Sequence, residues 1–158
     1  MTKQQKDFMR EAIHIAEENM NKRGGGPFGA VMVKDGKIVA KAANTDTTSN
    51  DPTAHAEVNT IRLACQSLNT FNLAGCELYA SCEPCPMCLA SVYWARIDKI
   101  YYAASGDDAQ EAGFDDSFIY SELASPIALR EVKMVNMLSK EGRLTILRWK
   151  GLEDKVNY

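Results

Sequence analysis

Two short runs hold most of the side chains able to do chemistry: His55-Ala56-Glu57, and Pro84-Cys85-Pro86-Met87-Cys88, which begins 27 positions after Glu57. Cysteines three apart share one face where a helix starts, so Cys85 and Cys88 can grip one tetrahedral zinc ion as thiolates. His55 offers a third ligand from another element. Glu57 is not needed to hold a metal. Zinc can lower the pKa of a bound water toward about 7, and a carboxylate beside that water can carry protons between it and a substrate. Two thiolates, a neutral imidazole and a hydroxide leave a Zn²⁺ site with a net charge of about −1, which helix N-termini aimed at it would stabilise. Residues two apart point to different sides of a mid-helix turn, so His55 and Glu57 can share a site only where a helix begins.

A closed structural zinc site competes for the same residues, with Cys82, three positions before Cys85, as a fourth ligand. Against it, Glu83-Pro84 breaks helical continuity between Cys82 and Cys85, and a structural site has no use for Glu57. Cys65 and Cys76 lack ligand spacing and read as small apolar core residues. His14 reads as a solvent-facing helix residue. Gly24-Gly25-Gly26 lacks the Gly-Lys-Ser/Thr ending of a phosphate loop, so it reads as a turn where backbone can approach a ligand. Trp94 and Trp149 suit core or interface positions.

Periodicity marks the elements that must position these residues. Phe8, Met9, Ala12, Ile13, Ala16 and Met20 recur at helical steps, predicting an opening helix over Lys3 to Met20 with His14 off the stripe. Ala30 to Val33 and Lys37 to Ala43 flank Asp35-Gly36, a hairpin signal. Thr53 to Leu68 reads as a helix entered through Asp51-Pro52, with His55 in its first turn. A strand at Glu77 to Ser81, a helix from Pro86 to Arg96 and a strand at Lys99 to Ala104 follow, an alternation that predicts a largely parallel sheet core. Ser117 to Ala124 reads as a helix, Glu131 to Asn136 as a strand, and Lys140 to Lys150 as a final helix, despite Gly142 and Thr145.

At 158 residues one compact core is expected, able to bury roughly 70% of the unfolded chain's surface, and no linker or repeat divides residues 1–158. The polar tail, 151–158, stands apart from it. Hydrophobic residues at 46% and charged residues at 25% match a soluble protein without a membrane span. A net charge of −3 and a pI near 5.4 disfavour nucleic acid as a partner. The polar opening residues do not read as a secretory or transit peptide, and crowded thiols suit a reducing compartment, so the cytoplasm is expected.

Gly25-Gly26-Pro27-Phe28-Gly29-Ala30, Asn44, Thr53-Ala54-His55-Ala56-Glu57, Ser81-Cys82-Glu83-Pro84-Cys85-Pro86-Met87-Cys88 and Tyr93-Trp94-Ala95-Arg96 together resemble the cytidine deaminase-like zinc proteins over most of the chain. Within that group, Glu111-Ala112-Gly113-Phe114-Asp115-Asp116-Ser117-Phe118-Ile119-Tyr120 and the closing Tyr158 are similar to the bacterial guanine deaminases. The resemblance implies a three-layer α/β/α sandwich around a mixed five-stranded sheet. It also implies a homodimer, with exchange of C-terminal segments between subunits as one form of it.

The implied reaction is hydrolysis of guanine to xanthine and ammonia, with zinc hydroxide attacking carbon 2 of the purine. In that scheme Glu57 takes the water proton and protonates the ring, and Asp116 relays a proton to the departing amino group, Asp115 being the weaker candidate. Asn44 donates to acceptors on the purine edge and Phe28 stacks on the ring. Ala56 and Trp94 join the substrate-binding set, and Tyr158 closes over the purine, within or across subunits. Cytosine, cytidine, guanosine and aminotriazines stay open as substrates. So does transfer-RNA adenosine, whose deaminases share Glu-Pro-Cys-x-Met-Cys at 83–88, although the acidic balance weighs against it. The non-enzyme reading is a zinc-stabilised interaction domain, which Glu57 argues against.

Overall fold

Ala30 to Val33 is an apolar run without alternation, the pattern of a strand covered on both faces. In the computed structural model, which describes residues 1–157, it lies within β1 (Gly29–Lys34), inside a four-stranded sheet ordered β2-β1-β3-β4. β2 (Lys37–Ala43) pairs antiparallel with β1 across Asp35-Gly36, whose φ angles of 50° and 71° are those of the tight hairpin turn expected there. β3 (Cys76–Cys82) takes the other edge of β1, also antiparallel, and β4 (Lys99–Ala104) runs parallel to β3.

Two sequence expectations are corrected here. The core is mixed rather than largely parallel, because the hairpin contributes two strands without a crossover and β3 docks beside β1. The fifth strand expected at Glu131 to Asn136 does not form, so the sheet has four strands among the described residues. Those residues have strand-like composition, but strand propensity is realised only against a paired edge, and they pair with none.

Helices cover both faces of the sheet. α1 (Lys3–Asn21) opens with a capping box in which Thr2 and Gln5 bond reciprocally. It packs Phe8, Met9, Ala12 and Ile15 on Val31, Val33 and Tyr79. Ile13 and Met20, expected on its apolar stripe, are exposed; Ile15 takes that place. A single turn, α2 (Asp46–Ser49), follows β2. The opposite face carries α3 (Ala56–Leu68) and α4 (Pro86–Ala95), which bury Ala56, Ala64, Val92 and Ala95 against Ala30, Met32 and Leu78. Period-two alternation along β1 therefore sends Val31 and Val33 to α1, and Ala30 and Met32 to α3 and α4. Cys65 and Cys76 pack in or against that second core, as their spacing suggested.

After β4 come α5 (Gly106–Glu111), capped by Ser105 and Asp108, and α6 (Ser117–Ala124). The described residues form two compact units, 1–120 and 121 onward. The second holds the end of α6, a 3-10 turn at Ile127–Leu129 and α7 (Ser139–Lys150), close to the expected final helix, and none of residues 121–157 is buried. No helix among the described residues is long and apolar enough to cross a membrane.

The approach of α1 to the sheet depends on Gly29. A Cβ there would press against the Ala12 carbonyl and lie 2.8 Å from the Ala16 nitrogen and 2.9 Å from Ile15 Cβ. Gly29→Ala should therefore cost about 1–3 kcal/mol of stability in urea denaturation. An unchanged midpoint and slope would show that this contact is not limiting.

Candidate active site

Two helices start at the metal-ligand residues. His55 is the N-cap of α3, with extended backbone at φ −66° and ψ 153°, and Cys85 is the N-cap of α4, with Pro86 as its first helical residue. Neither cap residue makes a side-chain capping bond, and imidazole and thiol turn toward a shared point. The helix expected from Thr53 begins only at Ala56. Asp51 accepts bonds from the Thr53 nitrogen and hydroxyl at 2.8 and 2.7 Å, a local turn that competes with helix. That delay moves His55 from the first turn to the cap and lets His55 and Glu57 reach one site.

His55 Nδ1 lies 3.6 Å from Cys85 Sγ and 3.4 Å from Cys88 Sγ. Bonds of about 2.1 Å to nitrogen and 2.3 Å to sulfur at tetrahedral angles would separate such atoms by about 3.6 Å, so the three residues fit a zinc ion. They are also the one metal-competent cluster of His, Cys, Asp and Glu among the described residues. Cys82 stands outside it, its thiol donating to the Ser105 carbonyl at 3.6 Å and pushed up to about 11, chiefly by burial. Three protein ligands match a catalytic zinc site, which keeps a position for water or substrate.

The neighbouring Cys88 thiol is the main cause holding Cys85 down at about 4, His55 helping, and proximity to Cys85 together with burial pushes Cys88 up. The bond to Cys85 likewise raises His55. Glu57 is buried, and its carboxyl is raised above the usual range first by desolvation and further by the nearby Cys85 charge; Cys88 donates to its Oε2 at 3.5 Å. Loss of water around a carboxylate favours its protonated form, which suits a group that must accept and return a proton.

A cavity of about 270 Å³ opens over this cluster, with Phe28, Asn44, His55, Glu57, Cys85 and Asp116 in its wall. Asn44 is 2% exposed, and its Oδ1 accepts from the nitrogens of Gly26 at 3.2 Å and Asp46 at 3.3 Å. With that oxygen engaged, Nδ2 is the end available to donate into the cavity. Phe28 meets Phe114 edge to face, ring centroids 4.9 Å apart at 78°. Asp115 accepts from the Ser117 nitrogen at 2.9 Å, and bonding to Ser117 holds its carboxyl low. Asp116 is raised by burial and by the Cys85 charge. Both aspartates line the cavity, and of the two Asp115 is the one tied back to the Ser117 nitrogen.

Other expected site residues fall elsewhere. The Ala56 side chain is fully buried in the core, leaving only its backbone near the site. Trp94 lies on another face of α4 beside Ala90, Tyr93 and Arg96 and does not line the cavity. Six residues beyond Cys88 is a rotation of about 240° around a helix, which turns Trp94 away from the metal cluster. Tyr158 lies outside the described residues. Sequence reasoning did not single out Phe114 or Asp46, both in the cavity wall. The available signal for Phe114 was Gly113, whose φ of 94° makes the turn that presents it.

Residues 2–104 match the family model for the cytidine and deoxycytidylate deaminase zinc-binding region. The chain is 50% identical to guanine deaminase of Bacillus subtilis over 151 residues, covering 96% of this chain and 97% of that protein. The X-ray structure of guanine deaminase from Bacillus subtilis aligns with a TM-score of 0.95 at 48% identity, covering 100% of this chain and 99% of that one. Similarity to the tRNA-specific adenosine deaminase of Agrobacterium fabrum is 42% identity over 97 residues, 61% of this chain and 63% of that protein.

Ligand and non-ligand sulfur can be told apart by metal analysis. Cys82→Ala should retain about one zinc per chain, whereas Cys85→Ala and Cys88→Ala should each lose most of it. Zinc loss in Cys82→Ala with the other two unaffected would reverse the assignment.

Proposed function

This chain belongs to the cytidine and deoxycytidylate deaminase zinc-binding family, and we propose that within it the chain catalyses hydrolysis of guanine to xanthine and ammonia. The observation that carries this reading is the full-length likeness to a guanine deaminase, which continues past the zinc-binding region through the 113–116 loop. Likeness to the adenosine deaminase of transfer RNA covers only 61% of the chain, and the acidic balance suits a small substrate better than a polyanion.

Zinc held by His55, Cys85 and Cys88 supplies, when bound, the Lewis acidity that makes water nucleophilic near neutral pH. The chain's own residues account for binding and proton movement. Phe28 offers a ring face to the purine, and Asn44 Nδ2 donates to an acceptor on its edge. The reaction joins the water oxygen to carbon 2, breaks the bond from that carbon to the amino nitrogen, and delivers one water proton to a ring nitrogen and the other to the leaving amine. Glu57 takes the first proton and passes it to the ring. Asp116, whose raised pKa suits it to holding a proton, relays the second. Tyr158 is proposed to close over the substrate as the 151–158 tail folds down.

We further propose a homodimer in which C-terminal segments pass between subunits. Leu129, Val132, Val135 and Met137 are 73%, 76%, 78% and 77% exposed, and apolar side chains clustered in sequence at such exposure call for a cover that a second copy would supply. Five free cysteines suit a reducing cytoplasm.

Glu57→Ala should lower kcat for guanine by about 10²–10⁴-fold with zinc retained, followed by purine ultraviolet absorbance beside metal analysis. Asp116→Ala should also lower turnover with zinc retained. Cytosine, cytidine, guanosine and an aminotriazine in the same assay separate the substrate classes, and preference for one of them over guanine would overturn the proposed substrate. Sedimentation should give twice the 17.5 kDa chain mass; a persistent monomer at working concentrations would remove the dimer.

A further inference from the structure

We propose that Asn19, at the far end of α1, is a positioning residue that aims Asn44 and the glycine turn at the substrate. Its Nδ2 donates to two carbonyl oxygens at once, Gly26 O and Asn44 O, both at 2.9 Å. Gly26 in turn donates its nitrogen to Asn44 Oδ1 at 3.2 Å. The three residues thus form a closed triangle of hydrogen bonds with one corner in α1, one in the glycine turn and one at the substrate-reading amide. The main chain of Asn19 reinforces it by accepting from the Gly24 nitrogen at 2.9 Å.

The need for such a fastening follows from the sheet. β2 is an edge strand, and Asn44 lies just beyond its last residue, held by one backbone bond to the Phe28 carbonyl at 3.0 Å. Beyond the strand end no ladder fixes the backbone that carries the amide. A second carboxamide works from the opposite face: Asn59, on α3, donates from Nδ2 to Ala43 O, Thr45 Oγ1 and Ala54 O, each at 3.1 Å. Residues 43–45 are therefore gripped by α1 on one side of the sheet and α3 on the other. The fit is close, since a Cβ on Gly25 (φ 146°) would lie 2.6 Å from the Asn44 carbonyl and 2.8 Å from its Oδ1.

Asn19 lines no part of the cavity, so its contribution passes through Asn44 and Gly26. This inference rests on the reading of Asn44 as a substrate donor. Asn19→Asp preserves size and shape while replacing the donor amide with oxygen opposite two carbonyls, which repels what Asn19 attracts. It should lower kcat/KM for guanine about ten- to a hundredfold, with a larger rise in KM than fall in kcat and zinc content unchanged. Asn19→Ser, which keeps a donor on a shorter arm, should recover part of the loss.

The deciding measurement is a double-mutant cycle with Asn44→Ala, made in the zinc-loaded full-length protein with unfolding midpoints recorded for each variant. If Asn19 acts through Asn44, Asn19→Asp in the Asn44→Ala background should change kcat/KM by no more than about threefold. If Asn44→Ala is impaired but Asn19→Asp matches the wild type, or costs the same factor in both backgrounds, the positioning role is overturned and the reading of Asn44 survives. If Asn44→Ala itself keeps full guanine turnover, the reading of Asn44 fails and the inference falls with it.

Discussion

His55 Nδ1 converges on the sulfurs of Cys85 and Cys88 at 3.6 and 3.4 Å, which sets groups able to carry negative charge in a half-buried pocket where that charge needs compensation. A cation fitted among them is one source. The fold provides another, because His55 and Cys85 are themselves helix caps and two sets of unpaired N-terminal N–H groups open at the same point. This convergence also accounts for Glu57. On the second residue of α3 it is carried into the interior beside the sulfurs, where lost hydration raises its pKa, as a proton carrier requires.

The sheet order makes that convergence possible. β3 leaves the sheet directly into Cys85 and α4, while β2 leads through α2 into α3, so both helices lie on the face built from Ala30, Met32 and Leu78. α1 takes the other face. It nevertheless reaches the site, through Asn19 at its last turn, which bonds across the end of β2 to the glycine turn and Asn44. The cavity thus joins two kinds of wall, a metal-binding and proton-carrying one from two helix starts and an aromatic and amide one from turns that close on each other.

The third wall comes from the loop after α5, where adjacent residues have divided roles. Asp115 and Asp116 both line the cavity, but Asp115 is committed to the Ser117 nitrogen, and Phe114 meets Phe28. Cys82 illustrates the same selectivity among like residues. It shares the cavity wall with the metal ligands, yet its thiol is committed to the Ser105 carbonyl and tethers β3 to the start of α5.

Much of this was determined by the sequence alone. The Cys85–Cys88 pair, the Asp35-Gly36 hairpin and the helical spacing of Phe8, Met9 and Ala12 depend on residue types at short separations, where local geometry leaves few choices, whereas joining His55 and Glu57 to those cysteines across about 30 positions rested on the resemblance of the two runs to the zinc deaminase signature. What spans long separations was decided only in three dimensions. Strand pairing made the sheet mixed, and 131–136 took no place in it, because a strand forms only where a partner pairs with it. Helix phase turned Trp94 away from the cavity, and the Asp51 turn moved His55 onto a cap. Competition among polar partners committed Asp115 to the Ser117 nitrogen beside Asp116 in the cavity wall, and joined Asn19 to Asn44 across 25 positions. Hydrogen bonds at that distance are written in packing, since a carboxamide has no sequence spacing that announces which two carbonyls it will meet.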